Sequence, residues 1–369
     1  MTWADWHQRS ETLASEASLA RQAGQTDQAQ TLYTQAAEAE ERALRELEPS
    51  KARTLGITAI SAVSLWFKAR EHHRAEQLAF SMLANETLPQ FAAIDLRTLV
   101  QAIWTEGSKK EAGVSFLPGQ VIVSVKGGEV ITGGAPLDLI VDKVQTIQAL
   151  FYRTIEFVKG MPHRLHGGPI REIQDACRPW LFQAPPGSYQ FSVAIQEPLQ
   201  KDFFKDGIKP GQVAWHFLEI LKATVDEQRE ALETIVPDKQ YRSTFLKLSR
   251  NLAPTGRTFA QMEVRAAGES SGVLLMPENR STINKTLREQ SPPETTDGEE
   301  ETSVVGILRA VHLDKDWLDV TVDGMSVHIM GLKDTIDDLI GPMVNRRVIV
   351  RATKSIKNKL RFIDIELDE

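Results

Sequence analysis

Small apolar residues recur at three- and four-residue spacing through Leu13, Ala17, Ala20, Ala29, Leu32, Tyr33, Ala36 and Leu44, the pattern of helices that each bury one face. Only the Gly24-Gln25-Thr26-Asp27 turn interrupts this run, and Pro49 closes it. A second pair of helices is predicted from Leu55 to Ala69 and from Ala75 to Leu83, ending at Pro89. One more runs through Ile94, Leu96, Leu99 and Ile103. Alanine on these faces lets neighbouring helices approach closely, so residues 1–112 are expected to form antiparallel helical hairpins.

The period changes at Gly113. Val121–Val125, Lys126-Gly127-Gly128 and Glu129–Ile131 predict a hairpin, because paired glycines accept the positive φ of a tight turn. A long helix follows Pro136, with Leu137, Ile140, Val141, Val144, Ile147, Phe151, Ile155 and Val158 in one stripe. Trp180–Phe182 and Tyr189–Ile195 read as strands joined through Pro185-Pro186-Gly187. Helices are expected over 212–235 and 240–252, strands over 258–264 and 273–276, and a helix to about Arg288. Strands and helices come in clumps without βαβ alternation, so residues 113–288 are expected to form an α+β domain.

Residues 289–302 carry six acids, no base and no apolar side chain except two prolines, which predicts a flexible acidic linker. Beyond it, residues 303–369 alternate like strands at Val304–His312, Trp317–Val322, Ser326–Met330, Arg347–Thr353 and Leu360–Leu367. A helical stretch, Leu332–Ile340, separates the third from the fourth. The fold class expected is therefore multidomain α+β: helical hairpins, a central α+β domain, and a small C-terminal β-barrel.

Two parts of the chain resemble known families. Ala17, Gly24, Asp27, Ala29, Tyr33 and Ala36 stand where the tetratricopeptide repeat (TPR) places its small, turn and aromatic residues, over about one 34-residue unit. Val63, Ala75 and Ala79 suggest a second unit, although Ala29 to Ala75 is too long a step for that period; a generic helical bundle is the alternative. A TPR-like array implies a groove for a protein or peptide. The element order of residues 303–369 resembles the oligonucleotide/oligosaccharide-binding (OB) fold, with an SH3-like barrel as the near alternative. That resemblance implies a ligand face on the second and third strands, flanked by the first and fourth loops.

The 369 residues are enough for two or three domains, and 41% apolar with 25% charged residues is ordinary for a folded protein. A single cysteine, Cys177, excludes a disulfide framework and suits a reducing compartment; a cytoplasmic location is expected. The start of the chain lacks the basic flank and apolar run of a signal peptide, and no stretch suits a membrane span. The net charge of −7 argues against a surface coated in basic residues, so any nucleic-acid role needs a local patch.

Such a patch exists. Arg346, Arg347, Arg351, Lys354, Lys357, Lys359 and Arg361 fall within sixteen positions that contain no acid, and Trp317 follows the first barrel loop. Trp317, Arg351, Lys354, Lys357, Lys359 and Arg361 are the candidate contacts for a single-stranded nucleic acid, through stacking and phosphate pairing. Asp314, Asp316, Asp319 and Asp323 oppose it on or near the same face. A second candidate site, for an anion, comprises His163, Arg164, His166, Arg171 and Arg178 near the start of a short helix.

Signatures of catalysis are missing. Gly127-Gly128, Gly133-Gly134 and Gly167-Gly168 lack the phosphate-loop and dinucleotide patterns, and no Gly-x-Ser-x-Gly elbow occurs. His163 and His166 have no further ligands nearby, so no metal is expected, and no cofactor or catalytic residue is assigned. Cys177 reads as a small core residue. Trp180, Phe182, Tyr189 and Phe191 read as core packing or as a homodimer face. The expectation is a non-enzymatic adaptor that binds a protein partner through its helices. The alternatives are a single-stranded nucleic-acid-binding protein using the barrel, and an enzyme with an anion site in the central domain.

Overall fold

The computed structural model describes all residues except 49, 112–115, 118, 132–133, 184–188, 200–202, 205–211, 227–228, 267–271, 291–299, 333–336, 356–358 and 369. The chain divides into two compact units: Met1–Val114 with Phe182–Pro186, and the remainder.

The first unit is helical: α1 (Trp3–Gln22), α2 (Thr26–Arg45), α3 (Ala52–Lys68), α4 (His72–Leu83) and α5 (Gln90–Glu111). Thr2 opens α1 with a capping box to Asp5, which satisfies backbone N–H groups that the first turn leaves unpaired. Gly24, at φ +78°, makes the turn into α2. The expected alanines are buried: Ala17, Ala20, Ala29, Ala36, Ala75 and Ala79 are at or near zero exposure. Trp66 sits wholly buried among them, its indole N–H donating to Glu41 at 3.1 Å.

The second unit begins with a five-stranded sheet made of β1 (Val121–Lys126), β2 (Pro179–Gln183, whose last two residues are counted with the first unit), β3 (Gln190–Ile195), β4 (Gln261–Ala266) and β5 (Val273–Leu275), in the order β2-β3-β1-β4-β5. β1 is central and antiparallel to both β3 and β4. The hairpin expected over 121–131 is therefore a correction: residues 129–131 do not return along β1. Gly127 and Gly128 turn instead at φ +77° and +63°, where a Cβ on Gly128 would collide with the Thr258 carbonyl.

Among the described residues, helices of this unit include α6 (Leu137–Val158), α7 (Arg171–Ala176), α8 (Val213–Val225), α9 (Arg229–Ile235), α10 (Lys239–Leu252) and α11 (Pro277–Gln290). α6 buries Ile140, Ile147, Phe151, Ile155 and Val158 and stacks Phe151 on Phe217 of α8 at 4.2 Å, while Leu137 and Val141 of the expected stripe stay exposed. Cys177 is fully buried, and burial pushes its thiol up to about 12. Phe191 is buried and Tyr189 packs against the core, whereas Leu181 on edge strand β2 is exposed.

A closed barrel completes the chain: β6 (Glu300–His312), β7 (Trp317–Val322), β8 (Met325–Met330), β9 (Arg347–Lys354) and β10 (Leu360–Leu367), in the order β10-β8-β7-β6-β9. The short α12 (Asp337–Ile340) lies between β8 and β9. All pairs are antiparallel except β8 with β10. The barrel does not hang from a separate core, because one apolar cluster runs from the central sheet and helices into Leu308, Leu318, Val350 and Ile365. The two ends of the expected linker lie in regular structure, as Glu289 and Gln290 end α11 and Glu300–Thr302 begin β6; 291–299 lie outside the described residues.

Candidate nucleic-acid interface

In β7 and β8, alternation sends Leu318, Val320 and Ile329 into the barrel, each fully buried. Trp317, Asp319, His328 and Met330 consequently point outward. Register aligns one row across four strands: His312 of β6 opposes Trp317 of β7, Trp317 opposes Met330 of β8, and Met330 opposes Arg361 of β10. The Trp317 ring lies 5.7 Å from that of His312 and 5.2 Å from that of His328, so three aromatic rings form a continuous shelf. His328 Nδ1 donates to Asp319 Oδ1 at 2.7 Å, and the backbone N–H of Lys315 donates to His312 Nδ1 at 3.2 Å.

At the end of the shelf, Gly331 has φ +98°, and a Cβ there would meet the Arg361 side chain at 3.1 Å. Arg361, Lys354 and Lys359 are exposed. Arg351 pairs with Asp364 at 2.9 Å and Glu301 at 3.6 Å, so carboxylates of the protein engage its guanidinium. Lys357 lies outside the described residues.

Arg351 belongs to a set of ion pairs that fasten the barrel to the α+β part of the same unit. Arg250 of α10, with no exposure, donates to both Asp364 oxygens and, at 2.7 Å, to the Ile365 carbonyl. Arg280 of α11 reaches Glu366 at 2.9 Å, and Arg346 reaches Asp142 of α6 at 2.6 Å. Arg153, fully buried on α6, meets Asp338 of α12 at 2.7 Å. These contacts use β9, β10, α12 and the turn before β9, and none of them involves the outer face of β7 and β8.

The anion site proposed from sequence lies partly in this fastening. Arg164 pairs with Glu156 at 2.6 Å and Asp338 at 2.9 Å, so carboxylates of the protein already occupy its guanidinium. His163 donates to or accepts from Thr244 at 2.8 Å and meets the Tyr241 ring edge-on. Burial, aided by the nearby Arg153 charge, lowers its pKa to about 4 and keeps it neutral. His166 faces Asp337 at 3.3 Å; Arg171 is almost fully exposed beside Asp175, and Arg178 is exposed. The five residues share no common partner, so the structure does not gather them into one pocket.

An open cleft of about 480 Å³ lies beside the shelf, lined by His166, His312, Asp314, Asp337, Ile340 and Gly341. Among the described residues, no group of three or more His, Cys, Asp or Glu is placed to hold a metal ion, and no helix is long and apolar enough to cross a membrane. No protein-family model, curated protein or solved structure matches this chain.

Sequence reading missed His312, His328 and Met330. The signal was present as alternation: His328 and Met330 flank the buried Ile329, His312 stands between the partly buried Val311 and Leu313, and register places all three beside Trp317.

Proposed function

We propose that this chain is a binding protein rather than an enzyme, and that its barrel is of the OB type and holds a single-stranded nucleic acid on the outer face of β7 and β8. Support for the OB reading comes from the strand order β10-β8-β7-β6-β9, from the single parallel pair, and from the helix between β8 and β9. The observation that carries the ligand is the three-ring shelf around Trp317, bordered by Arg361, Lys359 and Lys354. Aromatic rings stack any base, and lysine or arginine at the rim pairs with phosphate. Catalysis is disfavoured because the buried ionisable groups around Arg153 and Arg164 are held in mutual ion pairs.

The test is fluorescence anisotropy of a labelled twelve-nucleotide strand with the full chain at low salt. Trp317→Ala is expected to weaken binding about 5- to 150-fold, as ~1–3 kcal/mol per stacked base implies. No binding, or equal binding by the variant, refutes the reading.

The helical unit supports a second activity, docking of a protein partner on TPR-like hairpins. Its specific support is an exposed aromatic pair: Phe80 and Trp104, each nearly half exposed, stand 6.2 Å apart, and Trp104 donates to Glu76 at 2.6 Å. Aromatic side chains left in solvent at this density are enriched where proteins meet. Co-purification that is lost with Phe80→Ser and Trp104→Ser supports it; a partner retained by the double variant refutes it.

A further inference from the structure

The charges around the Trp317 shelf are segregated, and this suggests how a strand lies on it. Arg361 stands two strands away from Trp317, about 9.6 Å at the usual strand spacing, on the side of Lys359 and Lys354. Asp319 stands two residues along β7 from Trp317, about 7 Å away on the same face, on the side away from the loop. A base stacked on Trp317 with its phosphate toward Arg361 therefore brings its polar edge within reach of the Asp319 and His328 row.

That row presents acceptors. Asp319 is a carboxylate with one oxygen, Oδ2, beyond the bond to His328. A carboxylate only accepts, so the proton in the 2.7 Å bond belongs to His328 Nδ1, and in the neutral ring this leaves Nε2 as an acceptor. On β6 the register partner of Asp319 is Ala310, which carries no donor side chain; Arg309, in the bulge beside it, donates to Asn345 at 3.2 Å. Cytosine, adenine and guanine each offer an exocyclic amino group to such a row. Thymine and uracil offer carbonyl oxygens at the same edge and one ring N–H.

Resting on the reading of the barrel face as a nucleic-acid site, we propose that Asp319, held by His328, is a specificity-determining residue that selects bases bearing an exocyclic amine over thymine and uracil. The same geometry accounts for aspartate beside a phosphate-binding rim: it faces the base, and the basic side faces the backbone.

The experiment compares labelled oligo(dC) and oligo(dT) twelve-mers binding to the full chain, with Asp319→Asn, Asp319→Ala and Trp317→Ala variants. Oligo(dC) is expected to bind about fivefold or more tightly than oligo(dT), a discrimination at the lower end of that for a good base contact. Both Asp319 variants are expected to bring the ratio close to one, even though removing a negative charge tightens binding of both strands. The ratio, not the affinity, is the readout that a merely electrostatic role of Asp319 would leave unmoved. Equal binding of the two strands by the unaltered chain, or a preference that survives both Asp319 variants, overturns the proposal while the binding face stands. Failure of both strands to bind overturns the face itself and the proposal with it.

Discussion

Asp364 is the residue on which the attachment of the barrel should most depend. It is 5% exposed and accepts from Arg250, which is fully buried, and from Arg351, which is nearly so. Burial alone would raise its pKa, but the Arg250 guanidinium, with Lys247 and the hydrogen bonds from Arg250 and Arg351, outweighs that effect. The carboxyl is left well below the ordinary carboxylate range. Asp364→Asn removes the charge and points an amide toward two guanidiniums. Breaking one side of a buried pair costs about 3–5 kcal/mol, because the remaining ion is left uncompensated. With a urea slope of about 2–3 kcal/mol/M, the unfolding midpoint of the second unit should fall by roughly 1–2.5 M, read by circular dichroism. The combined change Arg250→Met with Asp364→Leu should recover much of that loss, since it removes both charges and Arg351 keeps Glu301. The pH dependence has a definite sign. A depressed carboxylate contributes stability that is present above its unfolded value near 4 and lost as pH falls below it, so Asp364→Asn should flatten the acid limb of the stability curve. A loss under about 1 kcal/mol for Asp364→Asn would refute the view that these ion pairs hold the barrel in place.

Two smaller changes test other parts of the fold. His163, lowered to about 4 by burial, binds fewer protons in the folded than in the unfolded chain between about pH 4 and 6.5. Stability should therefore decline across that window as pH falls, by about 2 kcal/mol after allowance for partial exposure, and His163→Gln should remove that slope in urea titrations. Gly128→Ala places a methyl against the Thr258 carbonyl at φ +63°, whereas Gly24→Ala meets nothing within 4 Å at φ +78°. Thermal unfolding should show a loss of at least about 2 kcal/mol for the first and about 1 kcal/mol for the second, with equal losses counting against the close approach of Gly128.

The parts legible in the sequence were those whose signal is local. Helices of the first unit follow from alanine spacing and the Gly24 turn, and the five barrel strands from alternation with a helix between the third and fourth. The 121–131 hairpin misled because a glycine pair fits two causes, a tight turn and a close approach. Here the partner of Gly128 is Thr258, far along the chain, and no local pattern announces it. Arg351 is a similar case. Among seven cations in sequence, contacts with distant elements decide which meet a carboxylate: Arg346 reaches Asp142 of α6, and Arg351 reaches Glu301 of β6 and Asp364 of β10. Asp364 occupies the position opposite Arg351, and a bulge between Phe362 and Asp364 sets that pairing.

That partition of the basic run has a measurable consequence. Arg346, Arg347 and Arg351 are matched by Asp142, Asp368 and the Asp364/Glu301 pair, while Arg361, Lys354 and Lys359 are exposed without an ion pair among the described residues. Only unmatched cations displace counterions from a nucleic acid. For single strands, log affinity falls with log salt at about 0.7 per phosphate neutralised, so three such residues predict a slope near −2, and Lys357 as a fourth would bring it near −3. All seven acting together would give roughly −5. Anisotropy titrations from low to moderate salt separate these values. A slope near −5 would mean that the arginine pairs open to admit phosphate, and the barrel would then have to loosen its hold on α6 and α10 to bind.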